Sequence, residues 1–284
     1  MNPVFTTLIA AAELRALLAA GGAPPVIVDC GFDLADTGAG ERAWREAHAA
    51  GSFYLHLDRD LSGAKNGRNG RHPLPERAAF AATLGRLGIT PATQVVALDR
   101  QGGPYAARLW WMLRWMGHEA AAVLDGGLDA WRAAGGAVDA LAPAATAGAP
   151  YPERAPLAPT LDADALLERL GRVRLIDARA GERFRGEVEP LDPAAGHIPG
   201  ALNRFFKDNL GADGRFKSAA ALRAEYEALL GGDAPARTVH QCGSGVTACH
   251  NLLAMEHAGL DGSCLYPGSW SEWCSDPARP IATG

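Results

Sequence analysis

Short apolar runs rich in β-branched residues recur along the chain, and each ends on a residue of different chemistry. Val26-Ile27-Val28-Asp29-Cys30 comes first and Val95-Val96-Ala97-Leu98-Asp99 follows. Arg174-Leu175-Ile176-Asp177 and Thr238-Val239-His240-Gln241-Cys242 stand in the second half. Runs of this kind, without strict alternation, are the pattern of strands buried on both faces. Between them lie segments with apolar spacing of three and four. Residues 161–170 read as a helix capped by Thr160 or Asp162. Residues 219–230 read as a second, stopping at Gly231-Gly232, and residues 105–116 as a third, ending at Gly117. Strands alternating with helices predict an α/β fold with a mainly parallel sheet flanked by helices. In such sheets ligands sit beyond the C-terminal ends of the strands, where Asp99 and Cys242 stand.

The pattern occurs twice. Asp29 and Asp177 are 148 residues apart, and His48-Ala49-Ala50-Gly51 and His197-Ile198-Pro199-Gly200 are 149 apart. Asp99 precedes Cys242 by 143 residues and Trp131 precedes Trp273 by 142. Four ordered matches at nearly constant spacing predict two copies of one domain, at residues 1–142 and 160–284. The intervening 143–159 segment is rich in Pro and Ala and suits a semi-rigid linker. A length of 284 residues fits this, since single cores rarely exceed about 200 residues.

Composition narrows the function. Lys and Arg total 27 against 32 Asp and Glu, a net charge of −5. A mildly acidic chain lacks the basic footprint of a nucleic-acid binder, so no nucleic-acid partner is expected. No uninterrupted apolar stretch reaches the length of a membrane span, so no membrane partner is expected either. The early apolar run, Leu8 to Ala20, carries Glu13 and Arg15, and no Lys or Arg precedes it, which is unlike a secretory signal. Five cysteines, an odd number without a Cys-x-x-Cys pair or zinc-like Cys/His spacing, point to a reducing cytoplasm and to no metal site.

The chemistry concentrates in Val239-His240-Gln241-Cys242-Gly243-Ser244-Gly245-Val246-Thr247-Ala248-Cys249. A strand ends, a glycine-rich turn follows, and a helix is predicted from near Val246. The glycines permit backbone angles that let successive N–H groups point inward as an anion nest. The helix N-terminus adds its partial positive charge. Both favour a thiolate on Cys242. Ser244 and Thr247 supply hydroxyl donors to the same cup. Burial as a small apolar residue explains Cys30, Cys249, Cys264 and Cys274, whereas the Gly-Ser-Gly loop after Cys242 serves no packing purpose. A cysteine phosphatase needs an Arg six residues beyond its nucleophile; Ala248 stands there, which disfavours phosphate chemistry.

The 242–248 loop, the His197-Ile198-Pro199-Gly200-Ala201 segment and the Tyr266–Trp273 ending together resemble the two-domain rhodanese family, over about Val26 to Trp273. The resemblance implies two tandem rhodanese-like domains, the first non-catalytic because Asp99 replaces the cysteine. Thiosulfate enzymes of that family usually carry Cys-Arg-Lys-Gly, whose two cations suit a dianion. Cys242-Gly243-Ser244-Gly245 is similar instead to the 3-mercaptopyruvate branch, and a neutral loop with hydroxyls suits a donor with one carboxylate. The resemblance implies that Cys242 carries sulfur as a persulfide and that Gly243, Gly245, Val246 and Thr247 line the donor. Arg183 matches the substrate-binding arginine, and Arg179 reads as a partner of nearby carboxylates. Asp58 and His72 match positions proposed to act with Ser244 as a proton relay. Leu191 stands where several mercaptopyruvate enzymes have a second arginine. The expected activity is sulfur transfer from 3-mercaptopyruvate to a thiol, such as thioredoxin or a small thiol, or to cyanide, with no cofactor. Thiosulfate as the main donor is the alternative, and a persulfide- or partner-binding module without turnover is a third reading.

Overall fold

The computed structural model describes residues 3–144, 146 and 148–284. Positions 145 and 147, within the expected 143–159 linker, lie outside the described residues. The chain divides into two compact units. The first comprises Met1–Ser62, Pro75–Leu157 and Ala212–Arg215; the second comprises Gly63–Leu74, Ala158–Gly211 and Phe216–Gly284. Contacts therefore assign residues 63–74 to the second unit although they lie in the first half of the sequence. Among the described residues no helix is long and apolar enough to cross a membrane.

The first unit runs β1 (Leu8–Ile9), α1 (Ala11–Ala19), β2 (Val26–Asp29), α2 (Ala39–Glu46), β3 (His48–Ala49) and β4 (Phe53–Tyr54). It continues with α3 (Arg77–Arg86), β5 (Val95–Leu98), α4 (Pro104–Trp115), β6 (Ala121–Leu124), α5 (Gly127–Ala133) and β7 (Val138–Asp139). Its five-stranded sheet has the order β1-β6-β5-β2-β4 with every pairing parallel. A small antiparallel ladder joins β3 to β7. On one face of the sheet, Ile9, Leu14, Ile27, Val96, Leu98, Leu124 and Trp131 form a core cluster. Trp110 and Trp111 are fully buried on α4, and Trp110 donates its indole N–H to the Thr6 carbonyl at 2.8 Å.

The second unit contains α6 (Ala163–Glu168), β8 (Arg174–Asp177), α7 (Gly181–Phe184), β9 (Leu202–Asn203) and α8 (Ala219–Leu230). Then come β10 (Thr238–Gln241), α9 (Ala248–His257), β11 (Cys264–Leu265) and α10 (Ser269–Trp273). Its parallel sheet has the order β11-β10-β8-β9, and Thr160 adds a parallel bridge outside β11 at Leu265. Position for position this is the order of the first sheet. The repeat extends to side chains. His48 stacks on Trp44 at 4.4 Å and bonds the Trp44 carbonyl at 2.7 Å; His197 stacks on Phe184 at 3.9 Å and bonds the Phe184 carbonyl at 2.8 Å.

Local chemistry sets the helix limits. Asp162 caps α6 by accepting the Ala165 N–H, which selects it over Thr160. Ser218 caps α8, and Gly231 ends it in the left-handed region at φ 60°. Helix α9 starts two residues later than Val246. The Cys249 and His250 N–H groups bond the Val246 and Thr247 carbonyls, a tight first turn that leaves both residues in the loop.

Candidate active site

Strand β10 lies between β8 and β11, so its C-terminal end is flanked on both sides by backbone. Cys242 follows at that end and is 2% exposed. Its Sγ accepts the Gly245 N–H at 3.2 Å. Its own N–H donates to Ser269 Oγ at 3.1 Å, and its carbonyl accepts the Trp270 N–H at 3.0 Å. The Gly243 carbonyl accepts the Ser271 N–H at 2.9 Å. The loop is thus pinned to the start of α10. Burial this deep disfavours an anionic sulfur unless donors face it, and the Gly245 N–H is such a donor.

Two residues carry unusual backbone angles to achieve this. Gly245 has φ 77°, and a Cβ there would lie 2.2 Å from the Pro267 carbonyl oxygen, so no side chain fits. Ser269 has φ 53°, the one positive value outside glycine among the described residues. A left-handed residue with a Cβ costs about 1–2 kcal/mol. The Ser269 hydroxyl offsets that cost by bridging the Cys242 N–H to the Tyr266 carbonyl, to which it donates at 3.0 Å.

The equivalent loop of the first unit is filled by its own side chain. Asp99 is fully buried, and Oδ1 accepts the Gln101 and Gly103 N–H groups at 2.9 and 2.8 Å. Oδ2 accepts those of Tyr105 and Ala106 at 2.9 and 3.0 Å. Burial pushes the Asp99 pKa up, with these four donors opposing the rise. The inward N–H groups of this nest are thus taken up by the Asp99 side chain.

Charged residues cluster around the Cys242 loop. Arg179 is buried and bonds Asp177 at 2.6 Å, Glu189 at 3.4 Å and the Gly196 carbonyl at 2.8 Å, with its guanidinium 4.8 Å over the Trp270 ring. Burial works against its charge, but Asp177 and Glu189 hold its pKa above the ordinary value. The expected structural role of Arg179 matches this geometry. Trp270 is fully buried and donates to the Ala194 carbonyl, so it supports Arg179 from within the core. Arg183 bonds both Glu189 oxygens, at 2.7 and 2.8 Å, and Asp192 at 3.3 Å. A Cβ built on Gly243 would lie 3.5 Å from Arg183 Nη1 and 2.8 Å from Arg71 Nη2. The ends of two guanidinium groups thus lie close over Gly243.

Ser244 Oγ lies 2.7 Å from His72 Nδ1, both residues belonging to the second unit. The expected Ser244–His72 pair is thus in hydrogen-bond contact. Asp58, the third member of the expected relay, belongs to the first unit, where its N–H donates to His56 Nδ1 at 3.1 Å. Val246 is buried and Thr247 half-buried immediately before α9. Cys249 faces the core and donates to the Gly245 carbonyl at 3.3 Å. Sequence reasoning missed Arg71, Ser269, Glu189 and Asp192. Ser269 and the two acids carry no local signal, and Arg71 had only its adjacency to His72.

Both halves of the chain match the model of the rhodanese-like domain, over residues 10–134 and 162–276. The chain belongs to the rhodanese family. A relative from Pseudomonas aeruginosa, named "Probable 3-mercaptopyruvate sulfurtransferase", is 47% identical over 267 residues, covering 91% of this chain and 92% of its own. The thiosulfate sulfurtransferase of Cricetulus griseus is 35% identical, covering 87% of this chain and 84% of its own. The 3-mercaptopyruvate sulfurtransferase of Leishmania major superposes with a TM-score of 0.81 at 29% identity, covering 97% of this chain and 76% of that one. Two rhodanese-like domains, with mainly parallel sheets flanked by helices, account for the repeat in the sequence.

Proposed function

We propose that this rhodanese is a sulfurtransferase that takes the sulfur of 3-mercaptopyruvate onto Cys242. The carrying observation is the Cys242 loop, with the sulfur facing the Gly245 N–H and Ser244 hydrogen-bonded to His72. The Cys242 thiolate attacks the donor sulfur, and the new S–S bond forms as the carbon–sulfur bond breaks. The electron pair of that bond passes to the pyruvate enolate. Ser244 and His72 carry the donor's thiol proton to the enolate carbon, leaving pyruvate and an anionic Cys242 persulfide. The sulfur of an acceptor thiol, on a small molecule or on a thioredoxin, then bonds the outer sulfur as the persulfide S–S bond breaks; the electron pair stays on Cys242 Sγ, restoring the thiolate, and the acceptor's thiol proton ends on the transferred sulfur. Cyanide takes the same sulfur as thiocyanate. Such acceptors are kept reduced in the cytoplasm, where we place the protein.

Charge favours this donor over thiosulfate. Arg71, Arg179 and Arg183 are paired with Asp177, Glu189 and Asp192, so the loop's surroundings stand near neutrality. One carboxylate is accommodated there more readily than a dianion, which needs uncompensated positive charge. The second reading, thiosulfate as donor, draws its support from the two guanidinium groups beside Gly243.

Cys242→Ser decides the central step. The wild type should gain one sulfur in mass on incubation with 3-mercaptopyruvate and release pyruvate when a thiol is supplied. The variant should keep the fold and do neither. Pyruvate release by the variant removes Cys242 as the sulfur carrier. A kcat/KM for thiosulfate above that for 3-mercaptopyruvate on one preparation reverses the donor ranking.

A further inference from the structure

We infer that Arg71 is a substrate-anion residue, forming with Arg183 a two-guanidinium clamp over Gly243 that grips the oxyanion head of the sulfur donor. The inference rests on the sulfurtransferase reading and adds a residue to its site.

Three observations carry it. The first is the register of Arg71 to the loop. Its backbone N–H donates to Ser271 Oγ at 3.0 Å, and the Ser271 N–H donates to the Gly243 carbonyl. One residue therefore ties Arg71 to the residue after the nucleophile. Gly70 strengthens the tie. Its φ is 84°, and a Cβ there would lie 2.8 Å from the Gly268 carbonyl, so the 63–74 segment runs tight against the start of α10.

The second is which nitrogens are committed. Arg71 bonds Asp192 through Nη1, and Arg183 bonds Glu189 and Asp192 through Nε and Nη2. The atoms of each nearest the Gly243 Cα–Cβ direction are Arg71 Nη2 and Arg183 Nη1. A planar carboxylate above Gly243 can be met by one N–H from each side, and charge-assisted bonds of this kind are the stronger class.

The third is Asp192, whose side chain is 2% exposed and which pairs with both arginines. It holds the two guanidinium groups side by side, where their mutual repulsion would otherwise separate them. It also competes with an incoming anion for their charge. Removing Asp192 and removing Arg71 break the same ion pair, yet they should act in opposite directions on donor binding.

The test compares Arg71→Ala and Asp192→Asn with the wild type. Arg71→Ala should raise KM for 3-mercaptopyruvate by roughly 10- to 100-fold, the loss of a charged hydrogen bond, while kcat at saturation changes far less. Asp192→Asn should lower KM for 3-mercaptopyruvate, and lower it more for thiosulfate because the clamp becomes more positive. If Arg71 serves only to brace the 63–74 segment, both variants should lose kcat and thermal stability together; that result, or an unchanged KM in Arg71→Ala, overturns the inference. A second readout is independent of turnover. Pyruvate should protect Cys242 from iodoacetamide in the wild type, and protection should need at least 10-fold more pyruvate in Arg71→Ala. If the wild type releases no pyruvate from 3-mercaptopyruvate but protection still weakens in Arg71→Ala, the donor assignment fails and the clamp stands. Equal protection in both proteins overturns the clamp.

Discussion

Gly245→Ala tests whether the cradle works through its backbone. Two costs add in the folded chain. An alanine at φ 77° takes a left-handed penalty of about 1–2 kcal/mol. Its Cβ would also start 2.2 Å from the Pro267 carbonyl, which is backbone and cannot rotate away, and forced repacking of this kind costs about 1–3 kcal/mol. The expected destabilisation is about 2–5 kcal/mol. Gly200 is the matched control. It lies in the same unit at φ 79° with nothing near its would-be Cβ, so Gly200→Ala should show the conformational penalty alone, about 1–2 kcal/mol. The functional cost is separable. Moving residue 245 away from Pro267 withdraws its N–H from Cys242 Sγ, and a hydrogen bond to a charged group is worth about 1.5–3 kcal/mol. That predicts a fall of roughly 10- to 150-fold in the rate of persulfide formation. Urea unfolding measures the first quantity, and single-turnover pyruvate release under folded conditions measures the second. If Gly245→Ala matches Gly200→Ala in stability within about 0.5 kcal/mol and keeps its transfer rate within about threefold, the backbone account of the loop is wrong.

Further outcomes follow from other contacts. Ser244→Ala removes the hydroxyl bonded to His72, so kcat for 3-mercaptopyruvate should fall roughly 10- to 100-fold, while the persulfide still forms on long incubation. A kcat unchanged by that substitution would falsify the proton-relay role. His240 is fully buried, and burial pushes its pKa down to about 3 from 6.5. The unfolded chain takes up a proton there below about pH 6.5 and the folded chain resists it, so stability is full above pH 6.5 and falls toward pH 3. The loss is about 1.4 kcal/mol per pH unit, or about 2 kcal/mol at pH 5. His240→Leu should lack this share of the acid sensitivity, as read from urea midpoints at about pH 7 and pH 5; parallel losses in both proteins would contradict it.

The sequence alone was enough for the architecture because buried parallel strands and capped helices announce themselves locally. The four strands bearing Val26–Asp29, Val95–Leu98, Arg174–Asp177 and Thr238–Gln241 have those bounds in the structure, and helix α8 ends at the glycine pair that stops its pattern. Cys242 was legible for the same reason: a nucleophile followed by two glycines is a contiguous signal. What required tertiary structure is everything set by through-space approach. Arg71 lies 172 residues from Gly243, and no periodicity or spacing connects them; only the folding of residues 63–74 onto the second unit brings the guanidinium to the loop. Arg183 was expected as the substrate-binding arginine; that Glu189 and Asp192 share its charge was not legible, because only the fold buries these two acids beside it, where they must be paired. Ser269 is an ordinary serine in sequence, and its strained backbone exists only because the Cys242 N–H and the Tyr266 carbonyl converge on its hydroxyl. Local pattern sets which elements form; charge balance and strain depend on which distant atoms those elements bring within a few ångströms.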